Sequence, residues 1–312
     1  MDFYYESVDE KTRVHAVKYK PQGEIRGVIQ IIHGMNEYIG RYDELARFLC
    51  DNGFMVVGND HIGHGESIEN DDNLGYFCEK EGNKVLLKDI VKLMNIAQRE
   101  CPDIPYYIIG HSMGSFMLRH IIALYGDRID GAVICATGNQ PGYLSAFGMV
   151  LCNLLSIVNG DHYRSKFVAA QMFKGYNKRI TNKKTDFDWI VSDERVVEKY
   201  INDPKCNYIY SLNGYNNFMK IINGVNNKSL LNRIPKDLPV FFIAGEEDPV
   251  AGYGKYTTEL VKLYEKIGIK NVDCKLYPNA RHEIHNDYCK ETVFDDIINW
   301  IDKLEENKGA KN

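Results

Sequence analysis

The chain has 312 residues, 44% of them hydrophobic, with 38 Lys and Arg against 43 Asp and Glu, a formal net charge of −5. That length suffices for one large core or two modest ones, and the acidic balance carries no electrostatic footprint for nucleic acid. No basic start joined to an apolar stretch marks a secretory leader, and no run reaches the roughly 18–20 apolar residues that span a bilayer. The closest of the eight cysteines, Cys274 and Cys289, are 15 apart, so there is no Cys-x-x-Cys for zinc or redox work. Free buried thiols in a reducing cytoplasm are the expectation.

Taken in chain order, residues 3–8 and 13–19 are β-rich and flank Asp9-Glu10-Lys11-Thr12, which predicts an antiparallel hairpin. Apolar runs then alternate with segments of helical period. The runs are Gly27–Ile32, Phe54–Val57, Tyr106–Ile109, Ala132–Cys135, Val240–Ala244 and Val272–Tyr277. VIQII and VFFIA are apolar on both faces, as strands of a parallel sheet covered on two sides must be. Helices are predicted at about 41–50, 83–99, 113–125, 255–267 and 289–305, with Gly126 as the C-terminal cap of the third. This alternation predicts a doubly wound, mostly parallel α/β sheet with right-handed crossovers. It breaks between about Gly138 and Leu231, where no buried strand pattern occurs. Residues 1–137 and 232–312 are therefore read as the core, and 138–231 as an inserted helical cap.

Ser112 lies in Gly110-His111-Ser112-Met113-Gly114, between the run YYIIG and a segment where Met113, Met117, Ile121 and Leu124 recur at helical spacing. Ligands of open parallel sheets bind outside the carboxyl ends of the strands, which is where this turn falls. The glycines remove side chains from a tight turn, and the helix that follows aims its N-terminus at the site. This is the Gly-x-Ser-x-Gly nucleophile elbow in its strand–turn–helix context.

A serine hydroxyl needs a base and an acid, which follow in the order Ser, Asp or Glu, His. Of the downstream histidines, His162 lies in the insertion. His282 falls in a loop after VDCKLYP, and His285 belongs to the next turn. GEEDPV offers Glu246, Glu247 and Asp248, of which Asp248 is favoured because Pro249-Val250 ends the turn. The assignment is Ser112 as nucleophile, His282 as proton carrier and Asp248 as the holder of its tautomer. The oxyanion donors are the backbone N–H groups of Met113, after the nucleophile, and of Met35, after Gly34 in the first β-strand loop. His33 precedes the serine and is read as a structural brace. His61 and His64, three apart in a glycine-rich loop, have no third ligand at matching spacing, so no metal site is expected.

HGMNEYIGRY at 33–42, NDHIGHGES at 59–67, GHSMG at 110–114, GEEDPV at 245–250 and ARHE at 280–283 together resemble the monoacylglycerol lipase and lysophospholipase branch of the α/β-hydrolases, often labelled serine aminopeptidase. The resemblance covers almost the whole core. It implies an α/β-hydrolase fold and a serine hydrolase for medium or long acyl esters, with Met35 and Met113 as oxyanion donors, no cofactor and a lipid-like ester as its partner. The cap stretch at 177–204 resembles bacterial members without identifying a substrate.

Two other functions compete with ester hydrolysis. A peptidase releasing N-terminal residues would need acidic groups in the cap, yet residues 138–231 hold 12 Lys and Arg against 7 Asp and Glu, a net of +5. A non-enzymatic binder would usually lack a triad member, and none is missing. Serine at the elbow disfavours epoxide and haloalkane hydrolysis. YLSAFGMVLCNLLSIV at 143–158 is apolar nearly all round, with Ser145, Gly148 and Ser156 as a narrow small stripe. It is either a helix buried between cap and core or a lid whose outer face meets lipid aggregates and whose inner face lines an acyl tunnel. The second reading adds peripheral contact at a membrane or micelle surface to the cytoplasmic location expected from the thiols.

Overall fold

The computed structural model describes residues 1–309. The hairpin forms as β1 (Asp2–Glu6) and β2 (Arg13–Tyr19), and Ser7 and Val8 fall in its turn rather than its first strand. There follow β3 (Gly27–Ile32), α1 (Asp43–Asp51), β4 (Phe54–Asn59), α2 (Gly82–Glu100), β5 (Tyr106–His111), α3 (Met113–Tyr125) and β6 (Gly131–Cys135). Five helices come next: α4 (Gly142–Asn159), α5 (Lys166–Met172), α6 (Glu194–Asn202), α7 (Leu212–Val225) and α8 (Lys228–Leu231). The chain then returns to the sheet with β7 (Val240–Gly245), α9 (Lys255–Lys266), β8 (Val272–Tyr277) and α10 (Lys290–Gly309).

The eight strands form one sheet in the order β1-β2-β4-β3-β5-β6-β7-β8. β2 alone runs opposite to the other seven strands. Alternation along the central strands explains how the sheet is covered twice. Val28 and Ile32 of β3 join Tyr106 and Ile108 of β5 in one core with α2, α3, α7 and α9. Ile29, Ile31, Tyr107 and Ile109 face the other way, against α1 and α10. A residue period of two thus buries every position of both strands. The buried amide of Gln30 in β3 is satisfied, since it donates to the Ile90 carbonyl at 3.0 Å and accepts from the Tyr106 hydroxyl at 2.8 Å.

Gly126 does follow α3, but in a right-handed conformation (φ −60°, ψ −25°), so it is no left-handed cap. The residue is small because a Cβ there would sit 2.6 Å from Cδ of Pro235. All eight cysteines are free thiols.

Of the two readings of 143–158, the buried helix does not hold for α4. It has 18 residues with a mean hydropathy of 1.5, long and apolar enough by length and composition to cross a membrane, yet only 17% of it is buried. Its small face, Ser145, Gly148 and Cys152, packs on α7, while Tyr143, Leu144, Phe147, Val150, Leu154, Ile157 and Val158 are 52–82% exposed. The inward face therefore meets a helix, and the apolar face meets solvent.

Two glycines test how tightly these packings are set. A Cβ on Gly114 would collide with the Ile32 backbone carbonyl, whereas one on Gly148 would meet only the flexible thioether of Met219. Gly114→Ala is expected to cost about 1–3 kcal/mol in denaturant unfolding and Gly148→Ala less, because a Met side chain can move aside and a strand backbone cannot.

Candidate active site

Four loops at the carboxyl ends of the strands meet around Ser112. Backbone contact forces the turn that carries it. Gly114 packs on the end of β3, and a Cβ on Gly110 would lie 2.6 Å from the Gly114 carbonyl oxygen. The chain turns by placing Ser112 at φ +52°, ψ −118°, a conformation that costs a non-glycine residue on the order of 1–3 kcal/mol. The result is a half-buried hydroxyl at the N-terminus of α3.

His282 Nε2 lies 2.9 Å from Ser112 Oγ, and His282 Nδ1 lies 2.9 Å from Asp248 Oδ1. Asp248 is fully buried and also accepts the Val250 amide at 2.8 Å, while Glu246 and Glu247 are exposed. The three residues picked from the sequence are thus brought into one hydrogen-bonded chain. His285 is not part of it, because its ring stacks on Tyr42 at 4.5 Å. His162 is exposed and stacks on Tyr76. Such a chain can pass the serine proton to the imidazole while the carboxylate fixes the ring and offsets its charge.

Gly34 is wedged against Ser112, with its Cβ direction pointing to within 3.0 Å of the serine Cβ. The amides of Met35 and Met113 on either side of this contact have no acceptor among the described residues. Two free N–H groups beside a nucleophile are what a developing oxyanion requires. His33 braces the loop. Its Nδ1 meets the Gly34 carbonyl at 2.8 Å, and its Nε2 accepts the His61 amide at 3.0 Å.

The sequence reading missed a buried polar cluster behind His282. Glu37 Oε1 accepts from the Gly34 amide and, at 2.8 Å, from the Tyr42 hydroxyl, and it lies 3.1 Å from His111 Nδ1. His111 Nε2 is 3.3 Å from the His282 carbonyl. Arg41 pairs with Glu283 and reaches Glu37 Oε2 at 3.6 Å. Glu37 thus joins the loop of Met35 to the loop of His282 through His111. Its signal was available: Glu37, Arg41, His111 and Glu283 all lie inside the quoted motifs.

Burial alone would lower the pKa of His111, but the Glu37 hydrogen bond and charge outweigh it and raise the value above normal. Burial alone would raise that of Glu37, and the His111 and Arg41 contacts hold it well below the carboxylate range. Burial pulls His285 far down, with the charges of His111 and Arg41 adding to it, and so keeps it neutral.

The ligand-type atoms of Glu37, His111 and His285 lie within 4.8 Å of one another, but the Arg41 guanidinium beside Glu37 opposes a second cation there. His61 and His64 are engaged with the His33 carbonyl and the Tyr210 hydroxyl. Burial and then the His33 charge lower the pKa of His64 to about 3.

The raised His111 pKa fixes a pH dependence. Its stabilisation is complete below the unfolded imidazole value of about 6.5 and is lost as pH rises through the folded value. Denaturant midpoints should therefore fall above about pH 6.5 in the wild type, and His111→Gln should flatten that part of the profile. An unchanged slope in a folded His111→Gln protein would contradict the pairing.

With this geometry in place, residues 23–288 match the sequence profile of the family described as serine aminopeptidase, S33. Human monoglyceride lipase is 26% identical over 303 residues, which cover 94% of this chain and 88% of that protein. The monoacylglycerol lipase of Mycolicibacterium smegmatis is 26% identical, with 91% and 90% covered. Among solved structures, a highly thermostable carboxyl esterase from Bacillus coagulans superposes with a TM-score of 0.91 at 28% identity, covering 97% of this chain and 98% of that one. A soluble variant of monoglyceride lipase from Saccharomyces cerevisiae shares the fold, with a TM-score of 0.75 at 20% identity and 97% and 94% coverage. The chain belongs to the serine aminopeptidase S33 family and is a carboxylester hydrolase on the α/β-hydrolase fold.

Proposed function

We propose that the protein hydrolyses carboxylic esters of medium or long acyl chains, monoacylglycerols or lysophospholipids, through an acyl-enzyme on Ser112. The observation that carries this reading is the hydrogen-bonded run Ser112–His282–Asp248 at a strained turn, with the Met35 and Met113 amides free of acceptors among the described residues. Ser112 Oγ attacks the acyl carbon while His282 Nε2 takes the hydroxyl proton, and the oxyanion is held by the Met35 and Met113 amides. The C–O bond to the alcohol then breaks, and His282 delivers its proton to the leaving oxygen. Water attacks the acyl-enzyme with His282 as base and releases the fatty acid and Ser112. Asp248 holds the imidazole tautomer and its positive charge throughout. Residues 1–137 and 232–312 supply this apparatus, and 138–231 cover it as a cap.

The names of the relatives support an acylglycerol substrate over a peptide. So do two of the seven cap carboxylates. Asp188 is occupied by the Thr185 hydroxyl and the Lys184 and Thr185 amides, and Asp203 by the Tyr38 hydroxyl and the Lys205 amide. Neither is left to hold a substrate ammonium.

The same reading makes the exposed face of α4 a contact for lipid aggregates, with the protein cytoplasmic and peripheral at the membrane. Apolar area is the larger contribution. Moving each exposed side chain of α4 out of water contributes on the order of 1–2 kcal/mol, comparable to or more than the roughly 1 kcal/mol of a lysine near an anionic surface. At least three of the twelve basic residues of the cap are also engaged. Lys183 pairs with Asp186, Lys184 with Glu194, and Arg179 sits over the Tyr253 ring at 3.5 Å.

Two sets of measurements test the proposal. Ser112→Ala and His282→Ala should each lower kcat by about 10⁶ on a panel of monoacylglycerols, lysophospholipids, p-nitrophenyl esters and aminoacyl anilides. Asp248→Ala should cost less, and the Ser112/His282 double variant should be no worse than either single. Faster turnover of the anilides than of the esters would favour the peptidase. For α4, Ser112→Ala protein should bind anionic vesicles more tightly than neutral ones, and less tightly in salt. Leu154→Ser with Ile157→Ser should weaken that binding while leaving p-nitrophenyl acetate turnover unchanged. Wild-type-like vesicle binding by that variant would leave α4 without a role at lipid surfaces.

A further inference from the structure

His282 stands on a loop between β8 and α10, and a base on a loop must be held by something outside it. One side is held by the acid loop, where the Glu247 amide donates to the Ala280 carbonyl at 2.9 Å. The other side is held by the cap. The Glu283 amide donates to the Ile190 carbonyl at 2.7 Å, and the His282 amide to the Trp189 carbonyl at 3.4 Å. The Arg281 guanidinium donates to the carbonyls of Asp188 at 2.7 Å and Val191 at 3.0 Å. Asp287, which is 1% exposed, accepts from the Ser192 amide and hydroxyl on the cap side and from the Arg281 amide on the loop side. The Trp189 ring is buried 5.0 Å from the His282 ring and is backed by Tyr176 and Phe173.

We propose that the cap segment Asp188–Ser192 is a strap that sets the position of His282, with Arg281, Asp287 and Ser192 as positioning residues. This rests on the reading of His282 as the base. Carbonyl acceptors at both ends of the segment converge on one guanidinium, and one buried carboxylate gathers donors from both strands of the contact. Such a two-way clamp fixes the backbone on either side of the imidazole, whereas ordinary cap packing would need only apolar contact. The strap also divides the cap. The part holding 188–192 stays seated while substrate enters, because lifting it would release the base from Ser112.

The test compares Ser192→Ala, Arg281→Gln and the double variant with wild type. Turnover of p-nitrophenyl acetate and the rate of fluorophosphonate reaction at Ser112 are read alongside circular dichroism and thermal midpoints. Acetate reaches no acyl-chain contact, so a displaced base lowers kcat and the phosphonylation rate but not KM. The double variant is expected to lose between about 10- and 100-fold in both rates with KM within about twofold. The downfield Nδ1 proton resonance of His282 should broaden in the same variant. A folded double variant with wild-type kcat and an unbroadened resonance overturns the strap, as does a loss confined to KM. If the double variant does not fold, Arg281→Lys and Trp189→Phe take its place under the same criteria, with a smaller loss in kcat expected. His282→Ala separates the two readings. Undiminished phosphonylation in His282→Ala would overturn the base assignment itself, whereas a dead His282→Ala beside wild-type-like strap variants overturns only the strap.

Discussion

The first turn of α3 has to touch the end of β3, backbone to backbone, and most of the site follows from that contact. Gly114 lies against the Ile32 carbonyl with no room for a Cβ, so the chain leaving β5 must turn within one residue. The residue that turns is Ser112, held at positive φ with its hydroxyl outside the sheet. The same contact brings Gly34, in the loop after β3, against the serine. A larger residue at position 114 would have to part α3 from β3 and so move Ser112 away from Gly34. The strain at Ser112 is sustained because packing on both faces of the sheet leaves the turn no alternative.

Around this turn the loops are joined by buried charge rather than by apolar contact. Glu37, Arg41, His111 and Glu283 come from three distant stretches of chain and are almost wholly withdrawn from water. Burying them singly would be costly, and only the mutual pairing makes the arrangement stable. In exchange, the loop after β3, the base of the Ser112 turn and the loop of His282 are fixed relative to one another. On our proposal the cap adds a second fastening of the same kind through Arg281 and Asp287. Both polar networks end at the loop of His282.

What the sequence disclosed and what it concealed divide along physical lines. VIQII and VFFIA could be read as buried strands because burial on both faces leaves no polar period, and the serine turn because its glycines are forced by contact. Asp248 was separable from Glu246 and Glu247 by the Pro-Val that follows it. The members of the Glu37–His111 link stand in the motifs, but their pairing is not legible there because only the side-by-side register of β3 and β5 brings them together. Residues 185–192 gave only a short apolar run, FDWIV, in a charged stretch, with nothing to say that its carbonyls reach Arg281. α4 was misleading in another way. Continuous apolar character usually means burial, yet here Ser145, Gly148 and Cys152 are the packed face, since small side chains let α4 approach α7 closely. Gly126 was placed correctly at the end of α3 for the wrong reason, steric room beside Pro235 rather than a left-handed turn.

The most direct test of the account is the site of covalent capture. Wild-type protein treated with a fluorophosphonate and digested for peptide mass spectrometry should carry one adduct per chain, on Ser112 in the peptide around Gly110–Gly114, and Ser112→Ala should carry none. An adduct on another residue, or none on a folded protein that still cleaves esters, would contradict the account.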